Sequence, residues 1–467
     1  MAESADALGL GSSTRKGVGV QVPSLAPKKG DLMTSLGSQL TCSIHPTPPH
    51  FTMITITVPA NYVSRAYDTA AHALTKKIDA RGFSRGEVPL EYIKTNYQNH
   101  LTEHIKKFLF HYLVISYLFK CLEDHQISVL GEPRLMNAHV EMNKPAVFEF
   151  ECTTIAEPLS LKTWKHLPFK APGRKHYRDI DRQVESFIQE EQTLIKELKN
   201  IGTITIGDIV CFTVKVVDEK SQPLFQNEQE TLWLKIGNEE GDTLFQHIFL
   251  DKHEGETFYT QNKALLEYFS DKLEQYALLE IHIELVLHNL HFDFDALKEH
   301  FNIKSIKDMK RKLIEVFSYR NDVSQRRSTV EGALNVMIKN HPVQVPHHAL
   351  LRKQQEVLNI LSLNPDYPVY KMDKDFLYQV EQLALRQLRE YTIIDHVTYN
   401  EQVKATNYDV KHYLNLTKRP RTKELIYFNS PLTRLDGHEK PIPDEILKQY
   451  ARREKTLNYI ISQLSKQ

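Results

Sequence analysis

The stretch Arg81-Gly82-Phe83-Ser84-Arg85-Gly86-Glu87-Val88-Pro89 lies between two segments with helical patterning. Gly82 and Gly86 permit the backbone angles that a tight reversal needs. Pro89 suits the first turn of a following helix, because the N–H that proline lacks would have no partner there. The stretch therefore predicts a turn at the tip of a helical hairpin.

Phe83 is the residue of this turn that a short loop cannot easily bury. Arg81 and Arg85 flank it, and an aromatic side chain between two guanidinium groups on a protruding tip is typical of docking to a polyanionic partner. The alternative is a plain helix–helix turn whose phenylalanine folds back onto its own hairpin. Both interpretations stay open from these residues alone.

Residues 82–89 resemble the glycine-phenylalanine-arginine-x-glycine-x-valine-proline signature of trigger factor, the bacterial ribosome-associated chaperone. The order of predicted elements from about residue 39 to about residue 455 is also similar to that family. In the family, the tip loop docks at the polypeptide exit of the large ribosomal subunit. Ser84 replaces the family's arginine, and Glu87 replaces a residue that is usually basic. The resemblance implies a ribosome-binding site at Arg81, Gly82, Phe83, Ser84, Arg85 and Gly86.

Composition and charge narrow the class of protein. The chain has 467 residues, and roughly two to four domains are expected at this length. Basic and acidic residues both number 59, so no overall charge attracts nucleic acid. Four cysteines without a Cys-x-x-Cys pair indicate a reducing compartment.

The same sequence predicts no association with a membrane. The most apolar run, Phe108 to Phe119, is much shorter than the roughly 20 residues that a span needs. Glu3 and Asp6 lie near the N-terminus, where no apolar segment typical of a secretory signal is found. We therefore expect a cytoplasmic protein.

Patterning divides the chain into five parts. Residues 1–46 are rich in glycine, serine and proline and predict a disordered extension. Residues 47–158 combine strands with the helical hairpin and predict an α/β module, and residues 159–200 predict a linker followed by a charged helix. Residues 201–290 are β-rich, and residues 291–467 are helical with proline breaks. The predicted fold class is α+β multidomain, with a docking module, a β-rich middle domain and an all-α C-terminal domain that carries helical arms.

The β-rich part resembles, in position and pattern, the FKBP-type prolyl isomerase domain of the same family. Prolyl isomerisation needs a desolvated aromatic pocket rather than a nucleophile or a metal. The family's Ile-Pro-Gly-Phe segment falls on residues 242–245, and its aromatic-Thr-Gly segment falls near residues 214–216; only Phe245 matches. The catalytic residues are therefore unknown, and the candidates for a degenerate pocket are Phe212, Phe225, Phe245, Phe249 and Tyr268. Either an active isomerase or a domain kept as a client-binding arm is compatible with the sequence.

Residues 100–104, His-Leu-Thr-Glu-His, match the H-x-x-E-H pattern of one class of zinc peptidases. Both histidines would lie on one helical face, beside the glutamate. The chain has 22 histidines, so a chance match is expected, and no second motif supplies a third ligand. We interpret the pattern as a solvated helix face and predict no metal site, with a zinc peptidase as a remote alternative.

The function that the resemblance implies is an ATP-independent chaperone. It would dock at the ribosomal exit and hold nascent or unfolded polypeptides on its helical part. No phosphate-binding motif of the GxxxxGK[ST] or GxGxxG type occurs, and no cofactor is expected. The alternative is an active peptidyl-prolyl cis-trans isomerase, and whether the chain forms a homodimer away from the ribosome is left open.

Overall fold

A computed structural model describes residues 38–466, apart from 76–77, 79, 85, 156–158, 174–178, 198–201, 219–220, 227, 270–277, 318–322, 431–433 and 436–437. Predictions for residues 1–37 and for Arg85 lie outside the described residues. The described chain combines many helices with antiparallel sheets, which confirms the predicted α+β class.

The first strand begins earlier than the sequence predicts. β1 (Thr41–Thr47) pairs with β2 (Phe51–Val58), and helix α1 (Ala60–Thr75) follows. The prediction of a disordered extension is therefore wrong for residues 41–46. In β1 only Cys42 is buried, so the strand shows no alternation that could reveal it, whereas β2 alternates strictly.

The sequence predicts one helix for the second arm of the hairpin, but the structure divides this arm into four helical segments. Its segments are α2 (Leu90–Asn96), α3 (Gln98–Leu109), a π-helical turn (Phe110–Val114) and α4 (Ile115–Asp124). Tyr97, at φ −115° and ψ 19°, leaves helical geometry between the first two. Two strands follow, β3 (Arg134–His139) and β4 (Ala146–Thr153), and they complete a four-stranded sheet of order β1-β2-β4-β3.

The middle of the chain begins with the predicted charged helix, α5 (Ile180–Glu197). Four strands and two short helices follow: β5 (Ile209–Val217), β6 (Glu230–Lys235), α6 (Thr243–Phe249), β7 (Thr257–Thr260), α7 (Lys263–Phe269) and β8 (Leu278–Leu287). Strand β7 was not predicted, because four half-exposed residues give too short a pattern to recognise.

The last part is mainly helical. Its helices are α8 (Phe294–His300), α9 (Ile306–Ile314), α10 (Gln325–Asn340), α11 (His347–Leu361), α12 (Tyr367–Tyr370), α13 (Phe376–Asn400), α14 (Asn407–Thr417), α15 (Pro420–Lys423) and α16 (Asp444–Leu464). The chain turns between α13 and α14, with Gln402 at positive φ. No described helix is both long enough and apolar enough to cross a membrane.

The prediction of an all-α C-terminal domain is also wrong. Three short strands precede the last helix: β9 (Arg434–Leu435), β10 (His438–Glu439) and β11 (Ile442–Pro443). Strand β11 pairs with β6, so the middle sheet has the order β11-β6-β5-β8-β7. A two-residue strand has no periodicity of its own, and tertiary packing alone decides that it forms.

The middle sheet is buried on both faces. Along β5, Phe212 belongs to a core shared with the N-terminal hairpin, whereas Cys211 belongs to a core shared with the C-terminal helices. On β6, the indole Nε1 of Trp233 donates a 2.7 Å hydrogen bond to the carboxylate of Asp444 in α16. This sheet therefore connects the other two parts of the protein, and its role as a client-binding arm stays a prediction.

Candidate functional site

The tip loop is a turn, as the sequence predicts. The N–H of Phe83 donates to the carbonyl of Ala80 at 3.1 Å, and the N–H of Glu87 donates to the carbonyl of Ser84 at 3.0 Å. Gly82 and Gly86 have φ values of +95° and +88°, and nothing lies within 4 Å of a Cβ built on either. Glycine is needed here for its backbone conformation rather than for lack of space.

The described members of the predicted docking set, Arg81, Gly82, Phe83, Ser84 and Gly86, lie together at this tip and are exposed. The side chain of Phe83 is 39% exposed, and its ring packs against that of Tyr92 with centroids 5.1 Å apart and a tilt of 57°. Phe83 thus rests on its own hairpin with one part of its surface while another part faces solvent. The two interpretations of this residue are compatible.

The base of the tip is fixed to the core. Val88 is 3% exposed, Ile93 is fully buried, and Tyr92 packs against the same core while half-buried itself. These contacts anchor the start of α2 directly after the turn. The tip therefore projects from a rigid support.

The hairpin is joined to the middle sheet by buried tyrosines. In the π-helical turn, the hydroxyl of Tyr112 accepts from the N–H of Val216 and donates to the carbonyl of Val214, both at 3.2 Å. From α1, the hydroxyl of Tyr62 donates to the carbonyl of Gln226 at 2.6 Å. Burial raises the pKa of Tyr62 to about 12, so this hydroxyl keeps its proton and its bond at any physiological pH.

A buried carboxyl group lies where the hairpin, the middle sheet and α16 meet. The hydroxyl of Ser116 in α4 donates to the carboxylate of Glu230 in β6 at 2.5 Å. Burial, together with the nearby Glu445 and Asp444 of α16, raises the pKa of Glu230 well above its usual value, and the hydrogen bond from Ser116 and the charge of Lys448 offset this only in part. Ionisation of this group is therefore costly in the folded protein.

The candidate aromatic side chains of the middle part are core residues. Phe212, Phe245 and Phe249 are at most 5% exposed, and the rings of Phe212 and Phe249 lie 4.7 Å apart. Phe225 packs instead against the hairpin, with its ring 5.2 Å from that of Tyr62 and 5.7 Å from that of Tyr112.

Tyr268 is half-buried beside Phe269, with ring centroids 5.1 Å apart. The aromatic set thus includes side chains that hold the middle sheet to the hairpin. That these rings bind proline stays a prediction, and it would require core side chains to move.

The H-x-x-E-H residues lie on the helix that leads away from the tip. His100 and Glu103 are exposed, and Glu103 pairs with Lys106 at 3.8 Å. Within the part of the chain that the structure describes, no group of three or more histidine, cysteine, aspartate or glutamate side chains is placed to hold a metal ion. The motif therefore fits a solvated helix face.

A second exposed region was missed by the sequence analysis. Helices α11 and α13 form a hairpin with a small core of its own, closed by α12. At the end where the two helices are connected, five large apolar side chains are at least half exposed, and Met372 reaches 83%: Leu363, Val369, Met372, Leu377 and Tyr378. The sequence feature that could have revealed this region is the apolar content of a short segment between two helices. Such a segment has too few neighbours to bury its apolar side chains.

The comparisons with known proteins all point to one class of protein. The family model described as bacterial trigger factor protein (TF) matches residues 43–187, which include the tip loop and its hairpin. The trigger factor of Aquifex aeolicus (strain VF5) is 22% identical over 99% of this chain and 94% of its own length. That of Clostridium tetani (strain Massachusetts / E88) is 23% identical over 85% of this chain and 87% of its own length.

A solved structure described as "Promiscuous Substrate Recognition in Folding and Assembly Activities of the Trigger Factor Chaperone" covers 90% of this chain and 98% of its own. It is 13% identical, with a TM-score of 0.33. The similarity to trigger factors rests on the sequence matches. The chain is thus similar in sequence to trigger factors over most of its length, and residues 43–187 match the family model.

Proposed function

We propose that this chain is an ATP-independent chaperone that docks at the polypeptide exit of the ribosome and holds nascent or unfolded polypeptides. The observation that carries the proposal is the exposed apolar end of the α11–α13 hairpin. Five exposed large apolar side chains within residues 363–378 are a concentration of the kind that marks a site of interaction. In this proposal residues 47–158 dock, residues 201–290 connect, and residues 291–467 hold the client.

Holding follows from the chemistry of that surface. Burial of apolar area contributes about 25 cal/mol per Å², so a contact with a few of these side chains is weak. The flexible and polarizable side chain of Met372 adapts to many sequences. A client leaves when its own folding buries the same residues, and no nucleotide is needed for release.

Docking follows from the chemistry of the tip. Phe83 offers an exposed aromatic surface, and Arg81 offers a guanidinium group that suits a phosphate backbone. The partner is the large ribosomal subunit, and the place of action is the cytoplasm. A second copy of the chain could cover the exposed hairpin when no ribosome or client is present.

The test of holding is suppression of aggregation without ATP. The variant Val369→Ser/Met372→Ser/Leu377→Ser should suppress the aggregation of a denatured client less well than the native chain. Tyr408→Ser is the matched control, because Tyr408 is also largely exposed but lies on α14. Equal suppression by the triple variant and the native chain would refute the role of the hairpin.

A further inference from the structure

We propose that Tyr92 is a positioning residue that presents Phe83 to the docked partner. The inference deepens the proposed docking function and rests on it. Phe83 lies between Gly82 and Ser84, neither of which can restrain an aromatic ring. The ring of Tyr92 is the described ring that packs against it, 5.1 Å away between centroids.

Tyr92 can support Phe83 because it is itself held in place. It lies in α2, just after the buried Val88, and packs against the N-terminal core while half-buried. The side-chain amide of Asn96 donates to the carbonyl of Tyr92 at 2.9 Å, so the helical turn that carries it is closed. Contacts therefore run from the core through Tyr92 to Phe83.

The consequence for binding is preorganisation. A phenylalanine on an unsupported loop samples several rotamers, and docking must restrict it to one, which costs conformational entropy. Tyr92 restrains the ring before docking, yet Phe83 keeps 39% of its surface exposed for the partner. Loss of the Tyr92 ring should weaken docking although no docking atom is removed.

The experiment is a double-mutant cycle on ribosome affinity with the full-length chain. Tyr92→Ala should weaken binding about two- to tenfold, which is the range expected for an aromatic pair. In a Phe83→Ala background, Tyr92→Ala should have no further effect, because the ring that it supports is gone. Tyr92→Phe should bind like the native chain, since it keeps the ring.

Tyr97→Ala is the matched control. Tyr97 is also half-buried against the same core at the other end of α2, and its change should leave ribosome affinity unaltered. Equal weakening by Tyr92→Ala in the native and Phe83→Ala backgrounds would show a general structural role and overturn the inference. Weakening by Tyr92→Phe as large as that by Tyr92→Ala would also overturn it.

A second readout separates this inference from the docking proposal. With 4-fluorophenylalanine at position 83, Tyr92→Ala should shift and narrow the ¹⁹F resonance in the absence of ribosomes, whereas Tyr97→Ala should not. An unchanged resonance contradicts the ring contact even where docking holds. Unchanged ribosome binding by Phe83→Ala refutes tip docking itself, and the role of Tyr92 falls with it.

Discussion

The tip loop and the middle part of the chain both carry aromatic side chains of the kind that bind partners. They differ in how far the surrounding structure buries those side chains. Phe83 lies on a turn fixed by two glycines at positive φ and keeps 39% of its surface exposed. Phe212 lies in a sheet whose two faces are covered by the other parts of the protein, and Phe249 packs against it from helix α6. Aromatic content therefore indicates a binding site only where local structure keeps the ring from being buried.

The largest expected effect concerns stability. Phe249→Ala removes a fully buried ring that packs 4.7 Å from Phe212, and it should lower the free energy of unfolding by about 3–5 kcal/mol. Phe83→Ala should change it by less than about 1 kcal/mol, because the tip has few packing partners. Urea denaturation of both variants measures the difference. Similar losses in the two would contradict the contrast between tip and sheet.

Prolyl isomerase activity provides the next test of the contrast between the exposed tip and the buried middle part. Because four of the five candidate aromatic side chains, Phe212, Phe225, Phe245 and Phe249, are core residues, we expect little acceleration of prolyl isomerisation on a short Xaa-Pro peptide. The uncatalysed reaction takes roughly tens to hundreds of seconds, so even modest catalysis is visible. A rate comparable to that of an intact FKBP-type domain would show that a proline pocket opens in the middle part.

We expect the buried carboxyl group of Glu230 to make the stability of the folded protein depend on pH. Its folded pKa is raised above the unfolded value, so the folded state binds the proton more tightly. The resulting stability is fully present below the unfolded pKa and is lost as pH rises through the folded pKa. Glu230→Gln removes this titration, and its melting temperature should fall less than that of the native chain as pH rises above about 5.

The exposed Glu103 supplies the control for that experiment. Glu103 lies on the hairpin but away from the junction, so the melting temperature of the Glu103→Gln variant should change with pH as that of the native chain does. If the melting temperatures of Glu230→Gln and the native chain changed in parallel with pH, ionisation of Glu230 would cost no stability, which would contradict this account.

The smallest expected effect is at Glu87. The family usually has a basic residue here, so Glu87→Lys should tighten ribosome binding several-fold and make it more sensitive to salt, since the partner is polyanionic. Glu91→Lys, one turn further along on α2, is a charge-matched control. Ribosome affinity measured at two salt concentrations distinguishes the variants, and a salt response equal to that of the native chain would argue against contact with phosphates.

What the sequence predicted well is local. The turn at Gly82 and Gly86 and the alternating strand β2 each follow from a few neighbouring residues, and the structure contains both. What it missed depends on distant contacts. Strands β1 and β11 exist because β2 and β6 offer hydrogen-bonding partners, and no pattern within either strand reveals this.

The candidate sites divide in the same way. The tip could be found because its residues are consecutive. The apolar end of the α11–α13 hairpin could not, because the exposure of Val369 or Met372 depends on how few elements pack around it. The joining role of the middle sheet was hidden for a related reason, since Tyr112 and Val214 are far apart in the sequence.

The central claim is that the tip docks the protein to the ribosome. Its most direct test is co-sedimentation of the full-length chain with bacterial ribosomes, comparing the native protein with Phe83→Ala at matched circular dichroism. The account predicts that the native chain sediments with the ribosomes and that Phe83→Ala largely remains in the supernatant. Sedimentation of Phe83→Ala at the native level would contradict it.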